Sequence, residues 1–137
     1  MEQIKTIVVN IAAIAALSLI LLAANTQYRQ WSQLSKGEVT EKAGDYIQAK
    51  AAYESAIHMY TPFSPLVTTA AERLWRMAGV AEQRGDRERA LITCRTLRSS
   101  FYSTTWLFQP GKEWIRRCDE RIDRGHRAYD NQRGGQV

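Results

Sequence analysis

The sequence predicts an all-α protein: an N-terminal transmembrane helix followed by a short stack of α-α hairpins, about two repeats closed by a C-terminal capping helix. Three observations predict it. An uncharged, apolar run of 18 residues stands near the start, a pattern of small and large residues recurs at an offset of 41, and alternating β-branched runs are scarce.

With 137 residues, 45% of them hydrophobic and 24% charged, the chain has the composition of one folded domain rather than of a disordered segment. Eight Gly and three Pro exclude collagen-like and low-complexity architectures. The net charge of +5 is unevenly placed. Residues 1–72 hold 5 basic and 6 acidic side chains, whereas residues 73–137 hold 14 and 8. The basic excess therefore belongs to the second half.

The first element is the apolar run at residues 7–24, interrupted only by Asn10 and Ser18. As a helix rising 1.5 Å per residue it reaches about 27 Å, close to the roughly 30 Å hydrocarbon core of a bilayer. A helix also pairs every backbone polar group internally, as lipid demands of a lone segment. Lys5 precedes the run, and Tyr28, Arg29 and Trp31 follow it as an interfacial collar. A cleaved signal peptide is the rival. The run exceeds the usual 7 to 15 residues of a signal core, and Leu22 stands where a small residue should precede a cleavage site after Ala24. A retained anchor is therefore expected: residues 1–6 form a short head, 7–26 the span, 27–124 the helical body and 125–137 a flexible polar tail.

The expected location is the inner (plasma) membrane, with the head in the cytoplasm and the body outside it. Lys and Arg flank both ends of the span, and long domains translocate largely regardless of charge. Orientation thus rests on the short basic head. Within the span, Ala12 and Ala16 are four apart, Ala23 lies seven further on, and Asn10 offers an amide. Together they mark a face for close approach to another membrane helix.

The body repeats. Ala43-Gly44-Asp45-Tyr46-Ile47-Gln48-Ala49, followed by Tyr53, Ala56 and Ile57, recurs as Arg84-Gly85-Asp86-Arg87-Glu88-Arg89-Ala90, followed by Cys94, Leu97 and Arg98. Glu72, Leu74 and Met77 align with Glu113, Ile115 and Cys118 at the same offset, and Tyr60 with Phe101. Each unit reads as two helices around a Gly-Asp turn, the Gly ending one helix in the left-handed conformation and the Asp capping the next. The first helix of the second unit sets Leu74, Trp75, Met77, Ala78 and Ala81 on one side. The last helix, from Pro110 to about Arg124, sets Trp114, Ile115, Cys118 and Ile122 on one face.

These residues resemble the tetratricopeptide repeats, best over residues 37–62, where Gly37, Gly44-Asp45-Tyr46, Ala49, Tyr53, Ala56 and Pro62 follow that family's small-large-small pattern. Residues 74–97 are similar but carry Cys94 where an aromatic is usual and Leu97 where a small residue is usual. The usual Trp and Leu of the first helix are missing from unit one, where Gln33 and Lys36 stand. The unit is also longer than the family's roughly 34 residues, the surplus being expected at residues 60–65 and 101–109. The resemblance implies a right-handed helical stack that holds other proteins, its groove lined by the first helix of each unit. That nominates Trp31, Leu34, Glu38 and Glu41 from unit one and Glu72, Trp75, Gly79 and Glu82 from unit two as partner-binding residues.

Catalytic chemistry is not indicated: His58 and His126 are far apart, and neither a phosphate loop nor a nucleophile elbow is present. No cofactor, metal or small-molecule substrate is expected. Cys94 and Cys118 fall on apolar faces of adjacent helices, either as a possible disulfide contributing about 3 kcal/mol by loop closure or as two buried thiols. The numerous arginines suggest a polyanion-binding face. However, Glu72 with Arg76, Glu113 with Arg117 and Glu120 with Arg124 are spaced for helix-surface pairs, which makes nucleic acid the weaker reading.

Two units and a half-unit fall short of the roughly three that a repeat stack needs for a continuous core. The missing support is expected from continuation of the anchor helix into residues 27–42, from self-association, or from docking to a larger assembly. The expected function is that of a membrane-anchored adaptor or accessory subunit binding other membrane proteins, in a bacterial setting. The alternatives are a membrane-tethered receptor for peptides or chaperone-type clients, and a basic tether for anionic lipid or nucleic acid.

Overall fold

The structure, a computed structural model, describes residues 1–105 and 108–135. Five helices and no strands make up the described residues: α1 (Glu2–Lys42), α2 (Tyr46–His58), α3 (Pro65–Gln83), α4 (Arg87–Ser103) and α5 (Lys112–Gly134). Neighbours in sequence pack against one another as an up-and-down series, and α2 also meets α4.

The chain turns between α1 and α2, and again between α3 and α4, by the same device. Gly44 and Gly85 take φ of +80° and +78°, where an L side chain would be strained. Asp45 and Asp86 follow as N-caps, each accepting a 3.1 Å hydrogen bond, from Gln48 N and Arg89 N respectively. At the opposite end, α2 passes to α3 through residues 59–64, with Pro65 pre-set for the first helical turn. The connection from α4 to α5 includes Trp106 and Leu107, which lie outside the described residues, as does part of the surplus segment expected at 101–109.

α1 has two characters. Residues 1–25 are exposed all round, and this half is long and apolar enough to cross a membrane. The second half packs on α2 and buries Gln30, Leu34 and Gly37. No break separates the halves, so 41 helical residues form one rod about 60 Å long. The body's core lies between α2, α3 and α4, with Tyr53, Ile57, Leu74 and Leu97 fully buried. Each such side chain contributes about 1.5–3 kcal/mol of burial. Ala49, Ala56, Ala70, Ala71 and Ala78 are also wholly buried, so small side chains set the close spacing between helices.

Two boundaries differ from the sequence reading. Pro110 is buried outside α5, and Gly111 in the left-handed region is its N-cap, because Phe101 occupies the space a Cβ there would need. The helix then runs ten residues past the expected end at Arg124, so residues 125–134 are helical where a polar tail was expected. The cause lies in contacts that residue-by-residue reading did not weigh. Gly125 lets α5 pass Leu91 closely, a Cβ there meeting Leu91 Cδ2 at 3.2 Å. Arg87 of α4 donates to Gln132 Oε1 at 3.3 Å. Residues 136 and 137 of the expected tail lie outside the described residues.

Candidate functional site

The residues nominated for partner binding lie on α1 and α3, and side chains of α3 reach both α1 and α5. Two arginines that sequence reasoning did not single out organise these contacts. Arg73, from α3, reaches Glu38 Oε1 at 2.6 Å and Glu41 Oε2 at 3.8 Å on α1. Tyr53 of α2 donates its hydroxyl to the same Glu41 Oε2 at 2.6 Å. All three charged groups are about one third exposed, so each ion pair contributes on the order of 1 kcal/mol rather than the larger figure of a dry site. Burial, then the Glu41 carboxylate, push the Tyr53 hydroxyl well above the ordinary phenol value, which keeps it a donor.

The second node is Arg121 of α5. Its guanidinium carbon lies 3.6 Å from the Trp75 ring centroid, Nη1 donates to the Trp75 carbonyl at 3.3 Å, and Nε stands 3.4 Å from Glu82 Oε2. The Nε contact is a charge contact without hydrogen-bond geometry, and this nitrogen has no hydrogen-bond partner. Gly79 lies beneath the arrangement, where a Cβ would meet Arg121 Nη2 at 3.7 Å, an ordinary packing distance. Trp114 meets Trp75 edge to face at 6.3 Å between centroids, with Arg117 above the outer ring.

The nominated set therefore divides. Glu38 and Glu41 gather on Arg73; Trp75, Gly79 and Glu82 gather on Arg121. Leu34 is buried in the core and cannot line a groove. Glu72 is exposed away from both nodes. Trp31 is exposed near the apolar half of α1, its ring 6.3 Å from that of Tyr28. Asn10, Ala12, Ala16 and Ala23 lie on the exposed half of α1, with no contact to the body. Of the expected surface pairs, Arg117 with Glu113 forms at 2.9 Å, whereas Glu120 turns to Arg116 instead of Arg124.

A cavity of about 440 Å³ opens beside the Gly-Asp turns, walled by Tyr46, Met77 and Val80 and rimmed by Glu41, Arg84, Asp86 and Arg89. Tyr46 spans from α2 to α4, sharing a hydrogen bond with Thr93 and lying under the Arg89 guanidinium. Of the nominated residues, Glu41 borders this concavity.

Cys94 and Cys118 are buried on α4 and α5, present as two free thiols. The neighbouring Cys118 thiol, helped by the positive charge of Arg121, lowers the Cys94 thiol below its ordinary value against the opposing effect of burial. Cys118 moves upward, because its proton serves as the donor toward Cys94, and because burial and the neighbouring thiolate both oppose a second negative charge. Among the described residues no cluster of three or more His, Cys, Asp or Glu is placed to hold a metal.

Comparison with protein families, with curated proteins and with solved structures returns no match for this chain.

Proposed function

We propose that the chain is a single-pass protein of a bacterial inner membrane, anchored by residues 7–24, with its head in the cytoplasm and its body outside. The body, a tetratricopeptide-like stack, acts as an adaptor or accessory subunit in a membrane complex. The observation that carries this reading is the division of α1. One unbroken helix offers an apolar half that touches nothing else in the chain and a second half built into the body's packing. A signal sequence has no reason to share a rigid rod with the domain it delivers.

Further features support it. Ser18 returns its hydroxyl to the Ile14 carbonyl at 2.8 Å, so the run's second polar residue is satisfied within its own helix. The Asn10 amide finds no hydrogen-bond partner among the described residues and gains roughly 0.6 to 2 kcal/mol from one on a neighbouring membrane helix. The nominated acids Glu38, Glu41 and Glu82 are already engaged by Arg73 and Arg121, which disfavours a receptor with a vacant charged groove. Arg89, Arg98, Arg116 and Arg117 are likewise paired with carboxylates, which disfavours a dedicated polyanion site.

The test is replacement of residues 7–24 by a generic leucine span, followed by gentle purification from native membranes. The adaptor reading expects membrane companions with the native span and their loss with the leucine span. Retention of every companion would favour the soluble-client receptor, and a native purification without companions would overturn the adaptor.

A further inference from the structure

The end of the body nearest the apolar half of α1 carries an uncommon combination of exposed aromatics. Ser64, the N-cap position of α3, donates to Gln30 Oε1 at 2.8 Å and lies 3.5 Å from Gln27 Oε1. Gln30 also donates to the Ala56 and Met59 carbonyls at 2.8 and 3.2 Å. These bonds hold the α2–α3 loop at the level of residues 27–30 of α1. Because α1 is continuous, that level is three to six residues past Ala24, or about 5–9 Å along the axis. The polar interfacial layer of a bilayer leaflet occupies about that interval beyond the hydrocarbon.

Phe63 sits in this loop, fully exposed, with φ at +65°. An aromatic side chain in the left-handed region costs backbone energy, and here it presents an apolar ring to the outside rather than to the core. Phe108, from the α4–α5 connection, is 59% exposed and faces the same end. It lines a cavity of about 640 Å³ with Tyr60, Pro62 and Thr104. Tyr28 and Trp31 stand exposed on α1 at that height, and Arg29 and Lys112 add exposed positive charge. At the far end the turns Ala43-Gly44-Asp45 and Arg84-Gly85-Asp86 carry no aromatic; Tyr46 beside them is half-buried under Arg89, and Tyr129 of α5 is half-exposed.

We infer that this end of the body is a lipid-binding foot: Phe63 and Phe108 insert into the interfacial layer of the bilayer that α1 crosses, and seat the domain against the membrane surface. The inference rests on the membrane-anchor reading. Aromatic rings favour the interfacial layer, and basic side chains beside them meet lipid phosphates. Two attachment points beside the span fix the tilt of the α1 rod, and of the body built on it, relative to the bilayer. The companion surface on α1, α3 and α5 is then presented at a set height.

The test uses the full chain with Cys94→Ala and Cys118→Ala, its helicity checked by circular dichroism, in phosphatidylcholine–phosphatidylglycerol vesicles. Nitroxide labels are placed one at a time through Phe63→Cys, Phe108→Cys, Leu17→Cys and Ile47→Cys. Collision with oxygen, which concentrates in lipid, is compared with collision with a water-soluble nickel chelate. Labels at positions 63 and 108 are expected to show a severalfold higher oxygen-to-nickel ratio than the label at 47, and a lower ratio than the label at 17. A ratio at either loop position equal to that at 47, with 17 deep in lipid, overturns the foot and leaves the anchor standing. A label at 17 that reads as aqueous overturns both.

Discussion

Arg121 lies over the indole of Trp75, its guanidinium carbon 3.6 Å from the ring centroid, and so joins α5 to α3 through a cation resting on an aromatic face. The side chain is largely buried, so truncation loses packing of its stem as well as the charge contact with Glu82. Arg121→Ala is expected to destabilise the body by about 1–2 kcal/mol. Arg121→Lys keeps the charge but not the planar stack, and is expected to recover part of that loss. Thermal unfolding followed by far-ultraviolet circular dichroism in detergent measures both, and equal stability of all three proteins would remove Arg121 from the account of helix packing.

Gly37 on α1 faces the ring of Tyr53, and a Cβ at that position would stand 2.5 Å from Tyr53 Cε1. Two effects oppose each other in Gly37→Ala. Alanine favours the helix by about 1 kcal/mol, whereas forcing extra bulk into a packed contact costs about 1–3 kcal/mol. The ring is buried and tied through its hydroxyl to Glu41, so it cannot swing aside as a flexible chain end would. The substitution is therefore expected to destabilise. A rise in midpoint temperature would show that α1 and α2 are less closely packed than this contact implies.

Gln30 is a buried polar residue that ties the Ala56 carbonyl of α2, the Met59 carbonyl just past its end and the hydroxyl of Ser64 to α1. Gln30→Leu leaves those carbonyls without their donor and is expected to cost about 1–3 kcal/mol, the penalty of unpaired buried groups. The local effect is the sharper readout. Amide hydrogen exchange over residues 59–65 should accelerate more than exchange in the Gly-Asp turns, and uniform acceleration along the chain would argue against a local tie.

The all-helical class and the long apolar helix were legible in the sequence because they depend on local chemistry. An uncharged run, Gly at left-handed turns and Asp at helix starts each carry their meaning within a few residues. Tertiary partners were not. Arg73 carries no local signal, yet it joins α3 to α1 through Glu38, 35 residues away. Arg121 is one of many arginines in the second half, and its place over Trp75 depends on how α5 meets α3. Leu34 was assigned to a groove by family pattern, but packing of α1 on α2 puts it in the core. Gln30 and Ser64 gave no signal, since their match is visible only once the loop is folded against α1. The end of α5 was misplaced for the same reason: Gly125 and Gln132 look like tail residues until Leu91 and Arg87 stand opposite them.

The two Gly-Asp turns allow a matched pair of substitutions. Asp45 and Asp86 make the same cap bond at 3.1 Å, so Asp45→Ala and Asp86→Ala are each expected to cost about 1 kcal/mol. Asp86 also approaches Arg89, but that pair is mostly exposed and adds little. The double variant should lose the sum of the two, because the caps belong to different helices and share no partner. A strongly unequal pair of losses, measured by thermal unfolding, would mean that the turns differ in context despite equal geometry.

The paired thiols predict how stability depends on pH. Cys94 titrates below its ordinary value of 9.0 in the folded chain, while Cys118 titrates above its own. As pH rises toward 9, the folded state has released a proton from Cys94 that the unfolded chain still holds. Stability therefore rises with pH, and this contribution is lost as pH falls through the lowered value. Above pH 9 the sign reverses, because the unfolded chain releases the Cys118 proton that the folded chain keeps. The stability profile should thus pass through a maximum near the ordinary thiol value, measured in reducing buffer. Cys94→Ala combined with Cys118→Ala should remove the rise below pH 9 and leave only the fall that the raised Tyr53 hydroxyl begins near the ordinary phenol value of 10.0, and Arg121→Ala should weaken the rising limb by withdrawing the positive charge beside Cys94. A profile unchanged by the double substitution would place the titration elsewhere in the chain.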